Sequence, residues 1–242
     1  MKINIMIPVL NEEEQIVTNV KKVIDYLKDT KLEGNYVITI ADNGSTDKTP
    51  ELGRQLQAEC DGKVNYMRLE ERGVGLAFRE TIKANTYDIV GYMDLDLATD
   101  IKHLNEVYAA FENGAKIVVG SRLLKGSKVI GRTLLREITS RGLNFLMKFV
   151  LGAKFSDAMC GFKFYRKETA DALVAKASDS NGWFYCAEML VRAEWDGIKI
   201  TEIPVTWTDD PNSKVKVGKL SMSYMQEIKK LFIEKQQRKK NK

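Results

Sequence analysis

Cysteine, histidine and long apolar runs are all scarce in this chain, and each scarcity removes a class of protein. The three cysteines, Cys60, Cys160 and Cys186, are odd in number and show no CxxC spacing, so neither a disulfide framework nor a cysteine-held zinc site is expected. A reducing compartment fits that usage. The nearest approach to a membrane span is Leu143 to Gly152, which Lys148 interrupts, well short of the roughly 18 apolar residues a crossing helix needs. The opening MKINIMIPVLNEEE passes from a few apolar residues straight into acids, without the length or cleavage site of a secretory signal. A cytoplasmic location is therefore expected. The one histidine, His103, falls early in an expected helix, where an exposed helical position is a better reading than catalysis. No GxxxxGK[ST] segment occurs, and after Gly73-Val74-Gly75 the third glycine of GxGxxG would fall at Phe78, which excludes a P-loop and a dinucleotide fingerprint.

What is present is an ordinary globular balance, 242 residues that are 44% hydrophobic and 29% charged, enough for one large domain with a sizeable core. The net charge of +5 is concentrated: residues 228 to 242 hold seven Lys or Arg against one Glu, a local +6 that leaves the remainder near −1. Such an end block is either a solvated tail or a contact for an anionic surface. The first half alternates short apolar runs with longer amphipathic stretches, the pattern of parallel strands joined by crossover helices. Strands are predicted at Lys2–Val9, Tyr36–Ala41, Val64–Arg68, Ile89–Met93 and Lys116–Val119, with helices near Glu12–Thr30, Lys48–Cys60, Gly73–Asn85 and Ile101–Asn113. After Gly120 the alternation stops. Helices are then predicted at Leu134–Val150 and Phe184–Asp196, a strand at Ile198–Trp207, a loop through Asp209–Gly218 and a last helix from about Lys219 to Gln237. On that helix Leu220, Tyr224, Ile228, Leu231 and Phe232 fall at helical spacing, with lysines opposite.

In an open α/β sheet a ligand sits at the carboxyl ends of the strands, so the residues after each strand carry the functional signal. After the fourth strand comes Asp94-Leu95-Asp96, two carboxylates that suit Mg²⁺ or Mn²⁺ shared with diphosphate oxygens. Such a metal would neutralise charge building on a departing nucleotide diphosphate. An isolated Asp-x-Asp is equally a turn or cap. Its company raises its weight: Pro8-Val9-Leu10-Asn11-Glu12 follows the first strand, and Ala41-Asp42-Asn43-Gly44-Ser45-Thr46-Asp47 the second. Acids there can also serve the helix termini that follow. Taken together, three acidic strand ends on one sheet edge form a cleft for a polar ligand and its metal.

The segments PVLNEEE, ADNGSTDKT, RGVGLAFRE and DLDLATD occur in the order and spacing of family 2 glycosyltransferases, which the chain resembles over roughly residues 3 to 220. Within that family it is most similar to the dolichyl-phosphate and polyprenyl-phosphate sugar synthases. The likeness includes Gly120-Ser121-Arg122, the segment Asp157-Ala158-Met159-Cys160-Gly161-Phe162-Lys163, and Trp183-Phe184 leading to Glu188. The resemblance implies a GT-A fold, meaning a Rossmann-like, mostly parallel sheet flanked by helices. An acceptor-side region and a terminal amphipathic helix would follow, with sugar transfer proceeding by inversion. It implies one catalytic domain over residues 1–220, with 1–120 binding the nucleotide sugar and 121–220 the acceptor, followed by a helix and basic tail over 221–242.

Carried over residue by residue, the resemblance implies that Pro8, Asn11 and Glu12 line the nucleoside pocket, that Asp42 meets the base, and that Gly73 and Gly75 clear a path for the diphosphate. Asp94 and Asp96 would hold ribose, sugar or metal, with Asp96 the surest metal ligand. Leu97-Ala98-Thr99-Asp100 departs from the Gln, His and prolines typical of the mannose branch and favours a UDP over a GDP sugar. The membrane-bound members append hydrophobic spans that this sequence lacks, so the basic tail is the candidate contact with a membrane surface, or with an integral membrane partner.

Two acceptors stay open. A polyprenyl phosphate brings an anionic oxygen, which Arg122, Arg132 and Arg136 suit as bidentate phosphate ligands; Asp157 would then organise the site. A glycan or lipid hydroxyl would instead make Asp157 or Glu188 the general base. A sugar-nucleotide pyrophosphorylase would open with a glycine-rich basic motif where this chain has PVLNEEE. A nucleic-acid-binding or purely membrane-binding module is the remaining, non-catalytic alternative. The acid-lined cleft argues against nucleic acid, since it repels a phosphate backbone, and the basic residues are not spread over one face.

Overall fold

A computed structural model of the chain describes residues 1–209 and 217–240, with side chains left undescribed at 217–222 and 239. The elements in chain order are β1 (Ile3–Val9), α1 (Ile16–Lys28), β2 (Tyr36–Asp42), α2 (Thr49–Glu59), β3 (Val64–Arg68), α3 (Val74–Ala84), β4 (Ile89–Met93), α4 (His103–Glu112) and β5 (Ile117–Ser121). They continue as β6 (Lys128–Ile130), α5 (Leu134–Leu151), β7 (Phe162–Arg166), α6 (Lys167–Val174), α7 (Phe184–Trp195), β8 (Ile200–Pro204), β9 (Thr206–Thr208) and α8 (Val217–Lys240). Seven strands form one sheet in the order β3-β2-β1-β4-β7-β5-β8, and β6 pairs with β9 beside it. All neighbours in the large sheet run parallel except β7, which is antiparallel to both β4 and β5.

Parallel strands covered on both faces read as continuous apolar runs. Accordingly β2 is buried at every position and β1 at all but Pro8. Crossover helices face the sheet with one stripe: Ile16, Val20, Val23, Ile24 and Leu27 of α1 are buried, the i, i+4, i+7 pattern of an amphipathic helix. Each such side chain removed from water stabilises the fold by about 1.5–3 kcal/mol. Two apolar clusters result. One, built around α1, α2 and α4, includes Ile5 and Ile40; the other, around α3, α6 and α7, includes Met6 and Val90, as alternation along each strand requires. α5 is punctuated at both ends: Thr133 accepts from Arg136 N at its start, and Gly152 ends it at φ 73.

The structure corrects the expected organisation in several places. No strand is predicted over Asp157–Glu168, yet Phe162–Arg166 forms β7, a strand of the 121–220 half that lies between β4 and β5, which come from the 1–120 half but for Ser121. Residues 1–120 and 121–220 therefore share one sheet. The single strand expected over Ile198–Trp207 is divided at Val205: β8 follows β5, and β9 leaves to pair with β6. α8 starts at Val217, two residues before the expected start, and Tyr224, Ile228 and Leu231 of its apolar stripe are buried in the second cluster, so the terminal helix packs on the core. Of the loop expected over Asp209–Gly218, residues 210–216 lie outside the described residues, as do the Leu220 and Lys239 side chains. No helix among the described residues is long and apolar enough to cross a membrane.

Candidate active site

The carboxyl ends of β1 and β2 are flush, with Val9 in register with Asp42, and the two loops that follow are cross-linked. Asn11, at φ 55, donates its backbone N–H to Ser45 Oγ at 2.9 Å and accepts from Thr46 N at 2.8 Å. Glu12 N donates to Thr49 Oγ1 at 2.8 Å. Asn43 donates from its backbone N to Val9 O at 2.9 Å and from its side chain to the same carbonyl at 3.3 Å. Pro8, Asn11 and Glu12 thus stand together at the predicted edge.

Asp42 does not present a free carboxylate there. It is fully buried; Oδ1 accepts from Ser45 N at 2.8 Å, while Oδ2 accepts from Tyr66 OH at 2.5 Å and Arg68 at 3.1 Å. These donors take three of the carboxylate's roughly four lone-pair positions. Burial, with Asp42 as acceptor, pushes the Tyr66 phenol up to about 12. Tyr66 and Arg68 stand at the carboxyl end of β3, outside the acidic motifs that mark the other strand ends, and Arg68 is the partly exposed member of the trio.

Asp94 immediately follows β4, and Asp96 lies in a turn where Leu97 takes φ 55. Asp96 is exposed and accepts from Ala98 N at 2.9 Å. A Cβ on Gly161 would overlap the Asp94 carboxylate, so the glycine preceding β7 is what lets that carboxylate occupy its place. Burial and the neighbouring Asp96 push Asp94 up to about 7, against the pull of Lys163 and Arg122. Lys163, on β7 and almost wholly buried, donates to Tyr92 OH at 3.3 Å and to Cys160 O. In the sequence Lys163 only closes the Asp157–Lys163 segment of the resemblance, and its burial follows from the pairing of β7.

Among the described residues no group of three or more His, Cys, Asp or Glu is arranged to hold a metal alone. Two adjacent carboxylates fit a hard cation that takes its remaining ligands from water and a diphosphate.

Asp157 is fully buried and held by Arg122. Arg122 Nε donates to Oδ2 at 2.7 Å, its NH2 to Oδ1 at 2.9 Å and its backbone N to Oδ2 at 3.1 Å. Burial opposes the charged carboxylate, but the guanidinium and its hydrogen bonds outweigh burial and hold Asp157 down at about 2. So bound, a carboxylate is a poor proton acceptor. Arg122 in turn lies 5.3 Å from the Trp207 ring, and Arg132 5.7 Å from it.

The three arginines expected to receive an acceptor phosphate all carry carboxylate partners: Arg122 has Asp157, Arg132 has Glu137 at 2.9 Å, and Arg136 has Asp209 at 2.5 Å. Arg132 Nε is buried without a partner.

Three further sites have surroundings that the sequence did not show. Glu188 is buried and bonded to Arg192 and Ser178, so its carboxylate anchors the segment that begins at Ser178. Gly73 and Gly75 have a packing use beside the one expected of them: a Cβ on either would overlap Asn181 or Gly182 of the chain itself, so the missing side chains let the 178–182 segment lie against the turn. His103 is not an exposed surface residue: its Nδ1 is 2.8 Å from Glu106, and its Nε2 accepts from Thr206 N at 2.9 Å, tying α4 to β9. A cavity of about 510 Å³ lies among Glu70, Glu71, Arg79, Lys83, Asp179 and Asn181; none of the carboxylates after β1, β2 or β4 lines it.

The family model described as Glycosyl transferase family 2 matches residues 4–174. Glycosyltransferase AglD of Haloferax volcanii is 32% identical over 216 residues, covering 89% of this chain and 34% of the relative. A dolichol-phosphate mannosyltransferase of Pyrococcus furiosus is 28% identical over 236 residues, covering 96% of this chain and 64% of the relative. The chain thus spans about a third of the first relative and under two thirds of the second. Among solved structures, glucosyl-3-phosphoglycerate synthase of Mycobacterium tuberculosis, in complex with Mn²⁺ and UDP-glucose, superposes with a TM-score of 0.65 at 17% identity, over 94% of this chain and 78% of that one. That likeness shows the fold, which is GT-A.

Proposed function

The chain belongs to glycosyl transferase family 2, and from that premise we propose that it moves a hexose or N-acetylhexosamine, with inversion, from a nucleotide sugar to a polyprenyl or dolichyl phosphate. The observation that carries the acceptor is the Arg122–Asp157 pair. A hydroxyl acceptor needs a base as the bond forms, and the two carboxylates expected for that task, Asp157 and Glu188, are both engaged in buried ion pairs. A phosphate oxygen is already anionic and needs none. The P. furiosus relative, whose name gives dolichol phosphate as acceptor, supports the same reading.

In this reading Pro8, Asn11 and Glu12 hold the nucleoside, and Asp94 and Asp96 hold Mg²⁺ or Mn²⁺. A cation there would offset the negative charge of the leaving nucleotide diphosphate. Gly161 keeps Asp94 in place, and Asp157 fixes the Arg122 guanidinium against Trp207 at the acceptor side. Phosphate entry would use Arg132 and Arg136 by exchanging their Glu137 and Asp209 carboxylates for phosphate oxygens. Residues 1–120 supply the donor side and 121–220 the acceptor side of one catalytic domain. A UDP sugar is favoured by Leu97-Ala98-Thr99-Asp100, while the mannose relatives make GDP-mannose the necessary second arm. Product formation from radiolabelled UDP and GDP sugars with Mn²⁺ tests this, comparing polyprenyl phosphate with polyprenol and oligosaccharides. Glycosylation of polyprenol or glycan with the phosphate ignored overturns it in favour of a hydroxyl acceptor.

The cytoplasmic face of a membrane is the proposed place of action, with an anionic lipid surface as the contact. Support comes from α5 more than from the tail. Its inner face buries Ser140, Asn144, Met147 and Leu151, while Leu134, Leu135, Ile138, Phe145 and Phe149 face outward, the two phenylalanines 70% and 80% exposed and stacked on each other. α8 packs beside it with Met225, Phe232 and Ile233 exposed. Arg141, Lys148, Lys229 and Lys230 are exposed on the same two helices, the combination that suits an interfacial helix on anionic lipid. The apolar residues begin beside Arg132 and Arg136, where a lipid phosphate would arrive.

A further inference from the structure

Glu188 and Arg192 are buried charges for which the proposed chemistry has no use, 1% and 4% exposed. They belong to a continuous hydrogen-bonded path. Glu234 of α8 accepts from both terminal nitrogens of Arg192 at 2.8 Å, and Arg192 Nε donates to Glu188 Oε1 at 2.7 Å. Glu188 then receives Ser178 N at 2.8 Å and Ser178 Oγ at 2.5 Å. Ser178 opens the 178–182 segment, and that segment abuts the turn at Arg72–Gly75. Gly75 N donates to Asn181 O at 3.0 Å, and Arg79 donates to Ser180 O at 3.3 Å and Asn181 Oδ1 at 2.9 Å. On its other side Gly73 N donates to Asn43 Oδ1 at 3.2 Å, and Asn43 is bonded to Val9 O and Ala41 O. The path therefore runs from the terminal helix to the ends of β1 and β2.

A buried ion pair is weak as a source of net stability, because desolvation consumes most of the Coulomb attraction and apolar side chains of like volume do as well. What the pair does supply here is direction. Two carboxylate oxygens fix both the backbone and the hydroxyl of Ser178, and the close fit of Gly73 and Gly75 against Asn181 and Gly182 leaves the turn no room to shift independently.

We propose that Glu188 and Arg192 are positioning residues for the donor diphosphate: they fix the 178–182 segment, which holds the Arg72–Gly75 turn at the donor edge. The proposal rests on the reading of that turn as the diphosphate loop. Neither residue touches substrate. Their loss should weaken donor binding and leave the acceptor side, built on Arg122, Arg132 and Arg136, as it was.

The test compares Glu188→Gln, Arg192→Met, Arg192→Lys and Ser178→Ala with wild type, by calorimetry with UDP and GDP in Mn²⁺, by donor and acceptor KM, and by Tm. Glu188→Gln and Arg192→Met should raise the nucleotide Kd and donor KM about tenfold, the size of one displaced hydrogen bond to a charged group, with acceptor KM within about twofold. Arg192→Lys should restore part of the loss. Ser178→Ala, which removes one bond at the end of the path, should move the same quantities in the same direction by less and serves if the charge variants do not fold. Folded variants whose nucleotide Kd is unchanged, or whose donor and acceptor KM rise together, overturn the positioning role. A wild type that binds neither UDP nor GDP overturns the nucleotide reading itself and the proposal with it.

Discussion

Arg122→Ala is the perturbation with the largest calculable effect. It leaves Asp157 at 0% exposure with its two side-chain guanidinium donors gone and only the N–H groups of Arg122 and Met159 remaining. Removing one partner of a buried pair costs about 3–5 kcal/mol. The pH dependence is more diagnostic than the size. In wild type the Asp157 pKa, about 2, lies below the ordinary 3.8, so its stabilisation is fully present above about pH 4 and is lost as pH falls toward 2. Without Arg122 burial dominates and the folded pKa rises above 3.8; the folded state then prefers the protonated acid, and stability falls as pH rises above 4. Urea denaturation of both proteins from pH 4 to 8 should therefore show a difference in stability that widens with pH. Arg122→Met combined with Asp157→Asn, which removes both charges, should recover most of the loss and flatten the difference. A constant gap across that range, or a single variant as stable as wild type, refutes the account of Asp157 as a carboxylate held ionised by Arg122.

Asp94 titrates near 7 and a cation must displace its proton, so Mn²⁺-dependent UDP binding should weaken as pH falls from 8 to 6; equal calorimetric affinities at the two values would argue against Asp94 as a ligand. Because its ionised form is disfavoured in the fold, Asp94→Asn should raise the metal-free Tm at pH 8 while abolishing turnover, and Asp96→Asn should abolish turnover with the fold intact. Gly161→Ala forces a methyl into the Asp94 carboxylate and should remove activity with metal present, whereas Gly114→Ala, which meets no neighbour but strains φ 85, should cost about 1 kcal/mol of stability and no activity. Phe145→Ser with Phe149→Ser should keep Tm and lose co-sedimentation with anionic vesicles; removing residues 234–242 is a poorer probe, since it also deletes Glu234 from Arg192. Unchanged sedimentation of the double serine variant would return the contact to the basic tail.

The parallel half was legible because its physics is local. A strand buried on both faces must be a continuous apolar run, and a crossover helix must show one apolar stripe, so β3 and β4 were placed to the residue and the other boundaries moved by a few positions. The acidic turns after β1, β2 and β4 were found for the same reason. What escaped depends on partners distant in sequence. β7 reads FKFYR, and only pairing with β4 and β5 explains why Lys163 and Phe164 are both buried. Arg122 looked available for phosphate because Asp157 is 35 residues away, and His103 looked exposed because the N–H it accepts belongs to Thr206, 103 residues on. Glu188 is the exception, since Arg192 stands at i+4 on the same helix, a pairing legible in the sequence and a reason to doubt a catalytic carboxylate there.

The antiparallel insertion of β7 gives the site a property that a plain doubly wound sheet lacks. In a fully parallel sheet every strand presents its carboxyl end to the ligand, and residues entering a strand lie at the opposite edge. β7 runs the other way, so it is its amino end that meets the carboxyl end of β4: Phe162 pairs with Met93, and Cys160 and Gly161 arrive beside Asp94. Asp157, a few residues upstream, is thereby carried to the same edge and to Arg122, which follows the parallel strand β5. One reversed strand thus joins the carboxylate proposed to hold the cation to the pair proposed to order the acceptor side. Displacing β7 would move both together, so a variant that loosens Phe162 or Phe164 should depress donor and acceptor affinity jointly, the signature opposite to that expected from Glu188 and Arg192.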